Sequence, residues 1–196
     1  MKKGHIYTLA FMVILSAVLV FALAFAYEGF KPSIADNARS RERRAILDAV
    51  GELEGLSEEQ VAVAFDKSLK PAQVAGQEAY QYIEDGQIKA YALPFHGAAL
   101  WGTIDGYLGV NADMTRTKGI VFTDQNETPG LGGRIDEVPY RNQFRDLPIE
   151  EGSLLTYGVH DDYQIDAITG ATQTSQAVLR MVNKMIQSVI FSGEVK

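Results

Sequence analysis

An amphipathic helical pattern near the C-terminal end of the chain is preceded by Asp166-Ala167-Ile168-Thr169-Gly170-Ala171-Thr172-Gln173-Thr174-Ser175. Thr172 stands in a turn of small residues, at the point where the helix is expected to begin. The first N–H groups of a helix lack backbone partners and lie at the positive end of its dipole, so they attract phosphate and other anions. Gly170 and Ala171 leave room for a bulky group on the Thr172 oxygen, so the stretch predicts an anion site there. A plain helix cap is the alternative, supplied by Thr169, Thr174 or Ser175.

This stretch resembles the flavinylation motif D-x-x-(S/T)-G-A-(T/S) of a bacterial family, in which the last Thr or Ser carries FMN through a phosphoester bond. The family comprises the C subunit of the sodium-pumping NADH:quinone oxidoreductase and the G subunit of the Rnf ferredoxin:NAD oxidoreductase complex. The resemblance implies that Thr172 carries covalent FMN and that Asp166 is the acidic residue of the motif. It also implies cofactor-binding roles for Thr169, Gly170, Ala171 and Thr174.

A second block, Glu127-Thr128-Pro129-Gly130-Leu131-Gly132-Gly133, is similar to the E-T-P-G-L-G segment of the same family. Its glycines allow a tight turn and a close approach of backbone to a flat ring, so the block suits a flavin wall. We expect Glu127 and Thr128 to hydrogen-bond polar atoms of the ring or hydroxyls of the phosphate chain. The cofactor-binding residues expected here are Glu127, Thr128, Gly130, Leu131 and Gly132. An ordinary glycine turn is the alternative, and no G-x-G-x-x-G dinucleotide fingerprint opens a helix at this point.

A third segment, Leu100-Trp101-Gly102, resembles a family segment that precedes a strand. Trp101 is expected to pack against the flavin or, alternatively, to be an ordinary core residue. His5, His96 and His160 have no metal-ligand spacing, so no metal site is predicted, and no catalytic residue is assigned. The chain has no cysteine, which excludes disulfides, iron–sulfur clusters held by this chain alone and thiol catalysis.

The N-terminal segment 6–27 is uncharged and spans roughly 33 Å as a helix, enough for a bilayer core. A transmembrane anchor is therefore predicted; a signal peptide cleaved after Ala24-Phe25-Ala26 is the alternative, although the apolar run exceeds a typical signal sequence. Basic residues lie on both sides of the span, so charge does not give its orientation. The resemblance implies a single-pass protein of the bacterial inner membrane, with its flavin domain on the extracytoplasmic side.

The rest of the chain predicts an α+β fold with a mainly antiparallel sheet and flanking helices. Strands are expected at residues 88–93, 104–110, 117–123, 153–158 and 163–168. Helices are expected at residues 33–50, 58–65, 139–146 and 177–190, the first after Gly29 and Pro32 end the membrane helix. Residues 70–87 are expected to be partly irregular. The predicted organisation is a cytoplasmic N-terminus at 1–5, the transmembrane helix at 6–27, a helical stem and connector at 28–87 and an FMN-binding domain at 88–196.

The net charge of −7, with all 25 acidic residues after the apolar segment, argues against nucleic-acid binding. The resemblance implies an electron-transfer subunit of a membrane ion-translocating oxidoreductase, closer to the Rnf G subunit by chain length. Its implied partners are the other membrane subunits, membrane lipid and a flavin transferase. The transferase is needed because an unactivated threonine is a poor nucleophile. The alternatives are the C subunit of the quinone reductase, a stand-alone tethered flavoprotein and a tethered non-catalytic binding module.

Overall fold

The computed structural model describes residues 3–158 and 162–191 of the chain and divides it into two compact units, Met1–Arg39 and Ser40–Lys196. The described residues of the N-terminal unit belong to helix α1 (Lys3–Ala49), whose side chains are exposed from residue 4 to residue 42. Within the described ranges, α1 is the one helix long and apolar enough to cross a membrane.

The prediction that Gly29 and Pro32 end the first helix is wrong, because α1 continues through both residues. A proline inside a helix removes one backbone hydrogen bond, and the bonds of the turns before and after it can still hold the helix together. The predicted helix at residues 33–50 is thus the second half of α1.

The second unit contains a five-stranded antiparallel sheet in which each strand pairs with the next along the chain. Its strands are β1 (Leu69–Val74), β2 (Gln77–Glu84), β3 (Gln87–Ala98), β4 (Thr103–Asn111) and β5 (Thr117–Gln125). This sheet and its flanking helices confirm the predicted α+β class, and the strands expected at 88–93, 104–110 and 117–123 lie within β3, β4 and β5.

The hairpin β1–β2 corrects the expectation that residues 70–87 are partly irregular. Left-handed residues at Ala75 and Gly76 turn the chain between β1 and β2, and Asp85 and Gly86 do so between β2 and β3. The predicted boundary at residue 88 therefore divides one sheet, because β1 and β2 belong to the same compact unit as the strands after it.

Helices cover the two faces of the sheet. On one face, the end of α1 and helix α2 (Glu58–Ser68) pack with residues of β1 to β3 in a core that includes Ile46, Val61 and Ala90. Ser57 and Gln60 form the predicted capping box of α2. The other face packs against α3 (Val138–Asn142) and α4 (Thr172–Met185), which continues as a π-helical turn at Ile186–Phe191.

The prediction of two further full strands is wrong. Residues 153–158 and 163–168 contain only the two-residue strands β6 (Thr156–Tyr157) and β7 (Gln164–Ile165), which pair in parallel apart from the main sheet. The segment that β7 begins leads into the turn before α4, so it delivers the motif of residues 166–175 to the start of that helix. The predicted helix at 139–146 is shorter, as α3.

Candidate functional site: the loops at the start of α4

Helix α4 begins at Thr172 with its first turn uncapped by side chains. The residue before it, Ala171, has φ −128° and ψ 40°, and no side chain among the described residues caps its N-terminus. The N–H of Ala171 donates to the Ile168 carbonyl at 2.9 Å, and the first helical bond runs from the Ser175 N–H to the Ala171 carbonyl. Simple capping by a hydroxyl is therefore wrong, while the Thr172 side chain is exposed at the helix start.

The two hydroxyls that follow Thr172 point into the domain. Thr174 and Ser175 are at most 1% exposed. The Thr174 hydroxyl donates to Glu127 Oε2, and Ser175 Oγ accepts the N–H of Ile168 at 3.1 Å. These side chains hold the turn before α4 against the rest of the domain and leave Thr172 as the exposed hydroxyl of the first turn.

Glu127 joins three segments that are distant in sequence. It is 5% exposed, and its Oε1 accepts the backbone N–H of Trp101 at 2.8 Å while Oε2 accepts the hydroxyl of Thr174. Its own N–H donates to Gln125 Oε1 at 2.8 Å. Each carboxylate oxygen thus has a protein donor, and Glu127 holds the Trp101 loop and α4 in place.

Two glycines bring the second block and the α4 motif into direct contact. A Cβ at Gly132 would lie 2.6 Å from Thr174 Oγ1 and 2.8 Å from Glu127 Oε2, closer than atoms can approach. Gly170 has φ +81°, and a Cβ there would lie 3.3 Å from Leu131 Cδ2. The fold therefore unites the two sequence blocks into one site.

The outer surface of this site carries exposed apolar side chains. Trp101 is 68% exposed and Leu131 is 46% exposed, so the alternative that Trp101 is a core residue is wrong. Trp101 is linked to the first turn of α4 through the Glu127 carboxylate. Large apolar side chains exposed beside an uncapped helix start can pack against a flat ring whose phosphate lies at the helix.

The remaining predicted residues lie in the same loops. The side chains of Asp166, Thr169 and Thr128 are exposed, and Gly130 has φ +75° in the turn of the second block. The Asp166 backbone N–H donates to Gln143 Oε1 at 2.6 Å, which anchors the start of the motif to the chain just after α3. Ala171 is 7% exposed and packs in the core.

A pair of tyrosines supports the first turn of α4 through a hydrogen bond. Tyr157 donates its hydroxyl to the Ser175 carbonyl at 2.7 Å, and its oxygen lies 3.1 Å from the hydroxyl oxygen of Tyr140. Burial raises the pKa of both phenols, so they remain neutral hydrogen-bonding groups at physiological pH. No local sequence pattern indicated these two tyrosines or the buried hydrogen bonds of Thr174 and Ser175. The burial of Thr174 and Ser175 could have been predicted from the apolar stripe of α4, because its periodicity places both positions on the buried face.

Two of the three histidines lie in the described parts of the chain. His96 pairs with Asp105 on the sheet, with Nδ1 2.5 Å from Oδ1, and His5 lies in α1, whereas His160 is outside the described residues. Among residues 3–158 and 162–191, no group of three or more His, Cys, Asp or Glu side chains is arranged to hold a metal ion.

The part of the chain that holds this site is similar to a known family. Residues 99–187, which include all three sequence blocks, match the FMN-binding domain family. This match covers 89 of the 196 residues of the chain. Its fold agrees with two solved structures, NqrC of Shewanella oneidensis and the C subunit of the Na⁺-translocating NADH-quinone reductase of Parabacteroides distasonis. Each has a TM-score of 0.66, at 21% and 23% identity, covering 77% and 80% of this chain and 94% of each structure.

Relatives of the FMN-binding domain include both subunit types that the motifs indicated. The chain is 36% identical over 100 residues to the C subunit of the Na⁺-translocating NADH-quinone reductase of Pasteurella multocida, covering 47% of this chain and 38% of the relative. It is 28% identical over 182 residues to the G subunit of the ion-translocating oxidoreductase complex of Methanosarcina acetivorans, covering 91% and 90%. The chain spans only 38% and 40% of the length of the first two quinone-reductase relatives. The predicted resemblance to the two subunit types is confirmed.

Proposed function

We propose that Thr172 carries FMN through a phosphoester bond. The observation that supports this is the exposed Thr172 hydroxyl at the uncapped N-terminus of α4, within the residues that match the FMN-binding domain family and in a stretch that resembles a flavinylation motif. The phosphate there lies beside N–H groups without backbone partners and at the positive end of the helix dipole. The residues present fit the cofactor, because Gly170 and Ala171 place no bulky side chain beside Thr172.

Other residues of the two blocks shape the surface around the attachment point. Trp101 and Leu131 provide exposed apolar faces for a flat ring. Thr128 offers an exposed hydroxyl, and the left-handed turn at Gly130 shapes the loop that carries Leu131. Glu127 holds this loop and α4 at a fixed separation, so it positions the site without touching the cofactor.

The attachment needs an enzyme other than this chain. A threonine hydroxyl is far from ionised at neutral pH, and Thr172 has no described basic partner that would activate it. We therefore propose a separate flavin transferase as a partner, with Thr169 and Asp166 exposed on the loop that it must approach. When bound, FMN supplies redox chemistry at its ring, while the chain retains and orients it.

The proposed role of the whole protein is electron transfer within a membrane ion-translocating oxidoreductase complex, as a subunit similar to the Rnf G subunit. Alignment over 91% of this chain and 90% of the Methanosarcina acetivorans relative supports the proposal of a subunit similar to the G subunit. Helix α1 then anchors the protein as a single membrane span, with the flavin domain outside the cytoplasm and the other membrane subunits and lipid as partners.

A second candidate is the C subunit of a sodium-translocating quinone reductase. The higher identity of 36% to the Pasteurella multocida relative favours it, although the match covers only 38% of that protein. Purification of the tagged chain from its native membranes distinguishes the two, since the co-purified subunits differ between the complexes. A chain that purifies alone would instead favour a stand-alone tethered flavoprotein.

The attachment is tested on the full chain produced together with a flavin transferase. Denaturing electrophoresis under ultraviolet light and the intact mass report covalent FMN directly. We expect a fluorescent band and the mass of esterified FMN in the wild type and in Gln173→Ala, the matched control at the exposed position next to Thr172 and outside the motif. Thr172→Ala is expected to lose both signals while its circular dichroism stays unchanged; retention of both would place the bond elsewhere.

A further inference from the structure

Strand β3 is longer than the strand that pairs with it on one side. Its pairing with β2 ends at Tyr80↔Ala92, whereas β3 continues alongside β4 to Ala98. Within residues 3–158 and 162–191, no strand pairs with β3 on the β2 side beyond Ala92. Residues 93–98 of β3 therefore form an open sheet edge.

The backbone groups of this edge can be assigned from the ladder. In the turn between β3 and β4, the Ala99 N–H donates to the Gly102 carbonyl at 2.8 Å, so the backbone of Ala99 faces β4. Because this direction alternates along an antiparallel strand, the N–H and C=O groups of His96 and Ala98 face the open side. Pro94 has the same direction, and a proline suits an edge position because it has no N–H to pair.

A groove follows the open edge. It has a volume of about 840 Å³ and runs between β3, the start of β2 and the second half of α4. Met181 and Met185 line its α4 side, together with the exposed cations Arg180 and Lys184. Among the described residues, neither cation has an ion pair or a side-chain hydrogen bond, whereas Glu78 lies on the opposite wall.

We propose that the open edge of β3 binds an extended segment of a partner polypeptide, which adds a strand beside His96 and Ala98 and bears acidic side chains facing Arg180 and Lys184. Main-chain hydrogen bonds at a sheet edge give such a segment its affinity, and alternate side chains give it specificity. Apolar side chains of the segment contact Met181 and Met185, which adapt to different shapes because methionine is unbranched and flexible.

An acidic polypeptide fits this groove better than the other occupants of an apolar surface. Unpaired backbone donors and acceptors require a partner with its own backbone, which an acyl chain does not have. Arg180 and Lys184 have no described ion pair on the α4 side of the groove, whereas Asp105, a second carboxylate of the lining, pairs with His96, so the α4 side complements acidic side chains. This binding surface is separate from the α4 start and does not depend on the FMN linkage.

The test uses the full chain in detergent micelles and a fluorescein-labelled peptide, Thr-Val-Thr-Glu-Thr-Val-Thr-Glu, measured by fluorescence anisotropy. One face of this peptide as a strand presents valine and glutamate to α4. We expect saturable binding that weakens as salt rises, and at least about tenfold weaker binding when lysine replaces glutamate. Absence of binding, or equal binding of both peptides, overturns the proposal.

Two pairs of variants separate the backbone and charge contributions. Ala98→Pro removes one edge N–H and is expected to weaken binding about tenfold, whereas Ala98→Thr keeps that N–H and binds as the wild type does. The double variant Arg180→Glu, Lys184→Glu is expected to weaken binding about tenfold, and Lys67→Glu, an exposed cation on α2, leaves it unchanged. Unchanged binding in Ala98→Pro overturns the strand pairing.

Amide exchange by NMR gives a readout at single residues. We expect the His96 and Ala98 amides to exchange rapidly in the free chain and to become protected when the peptide is added, while the Gly97 amide, which faces β4, is protected in both. Vesicles of anionic phospholipid serve as the competing ligand: protection by vesicles and not by the peptide would assign the surface to lipid. Protection that rises with protein concentration alone would assign it to a second copy of the chain.

Discussion

Thr174 donates its hydroxyl hydrogen bond to the carboxylate of Glu127 in the interior of the domain, and this bond ties the first turn of α4 to the loop that carries Leu131. The same carboxylate accepts the Trp101 N–H, so one buried side chain sets the spacing of the three loops around Thr172. Hydrogen bonds within the protein therefore hold these three loops together.

Removing this carboxylate is expected to destabilise the domain. Glu127→Ala leaves the Trp101 N–H and the Thr174 hydroxyl without their acceptor, and we expect the free energy of unfolding to fall by about 3 kcal/mol. Urea denaturation followed by circular dichroism measures the change. Thr128→Ala, at the exposed neighbouring position, is the control and should lie within about 0.5 kcal/mol of the wild type. Equal stability of the two variants would contradict the role of Glu127.

A methyl group at Gly132 is expected to separate the two sequence blocks. Gly132→Ala places a carbon 2.6 Å from Thr174 Oγ1, so the loop must move, at a cost of about 1–3 kcal/mol. Gly102→Ala is the matched control, because its Cβ would lie 3.6 Å from Asn126 Cβ, an ordinary contact. Thermal unfolding of both variants distinguishes a steric effect at Gly132 from a general effect of replacing glycine.

Trp101 provides an internal optical probe, since it is the single tryptophan of the chain. Its exposure predicts solvent-exposed emission without FMN and strong quenching once FMN is attached beside it. The Thr172→Ala chain produced with the same transferase should keep its full emission. Trp101→Ala should change the free energy of unfolding by no more than about 0.5 kcal/mol, because the side chain is largely exposed. Unquenched emission in the FMN-loaded chain would place the ring away from Trp101.

Asp48 of α1 binds two arginines around α3, and its removal is expected to loosen that contact. Asp48 Oδ2 lies 2.7 Å from Arg141, and Oδ1 lies 3.1 Å from Arg145. Asp48→Ala leaves a half-buried Arg141 unpaired, so we expect a loss of about 2 kcal/mol in urea denaturation. Asp66→Ala removes the exposed partner of Arg43 and should cost less than about 0.5 kcal/mol.

The domain is expected to lose stability in alkali. Burial, together with the nearby charge of Glu52, raises the pKa of Tyr82 to about 12. The unfolded value is about 10, so unfolding releases a proton from this group above pH 10, and its contribution to stability disappears as the pH rises from about 10 to about 12. Tyr82→Phe should therefore show a shallower fall in the free energy of unfolding over this range than the wild type. Parallel pH profiles would contradict the shift.

The elements that the sequence predicted well are those with a strong local pattern. The apolar stripe of α4 and the β-branched runs of β4 and β5 bury one continuous face, so periodicity alone locates them. Strand β1 was missed because Lys70, Pro71 and Gln73 break the apolar alternation. The structure tolerates Pro71 because β1 is the edge strand of the sheet.

The sequence motifs indicated which loops form the candidate site, but they did not indicate the hydrogen bonds between these loops. Glu127 and Thr174 are 47 residues apart in sequence, and no local pattern pairs them. Glu127 was expected at the cofactor because its block is similar to a family segment and a carboxylate can hydrogen-bond polar atoms of a flavin. Its burial, which depends on the packing of all three loops, gives it a supporting role instead.

The exposure of Thr172 has a consequence for biogenesis. The Thr172 hydroxyl lies outside the hydrophobic core, so under the proposed linkage a transferase can reach it on the folded domain. Modification does not have to precede folding. Under the proposed linkage, maturation can follow export and membrane insertion, and a cell short of flavin would accumulate a stable precursor ready for completion.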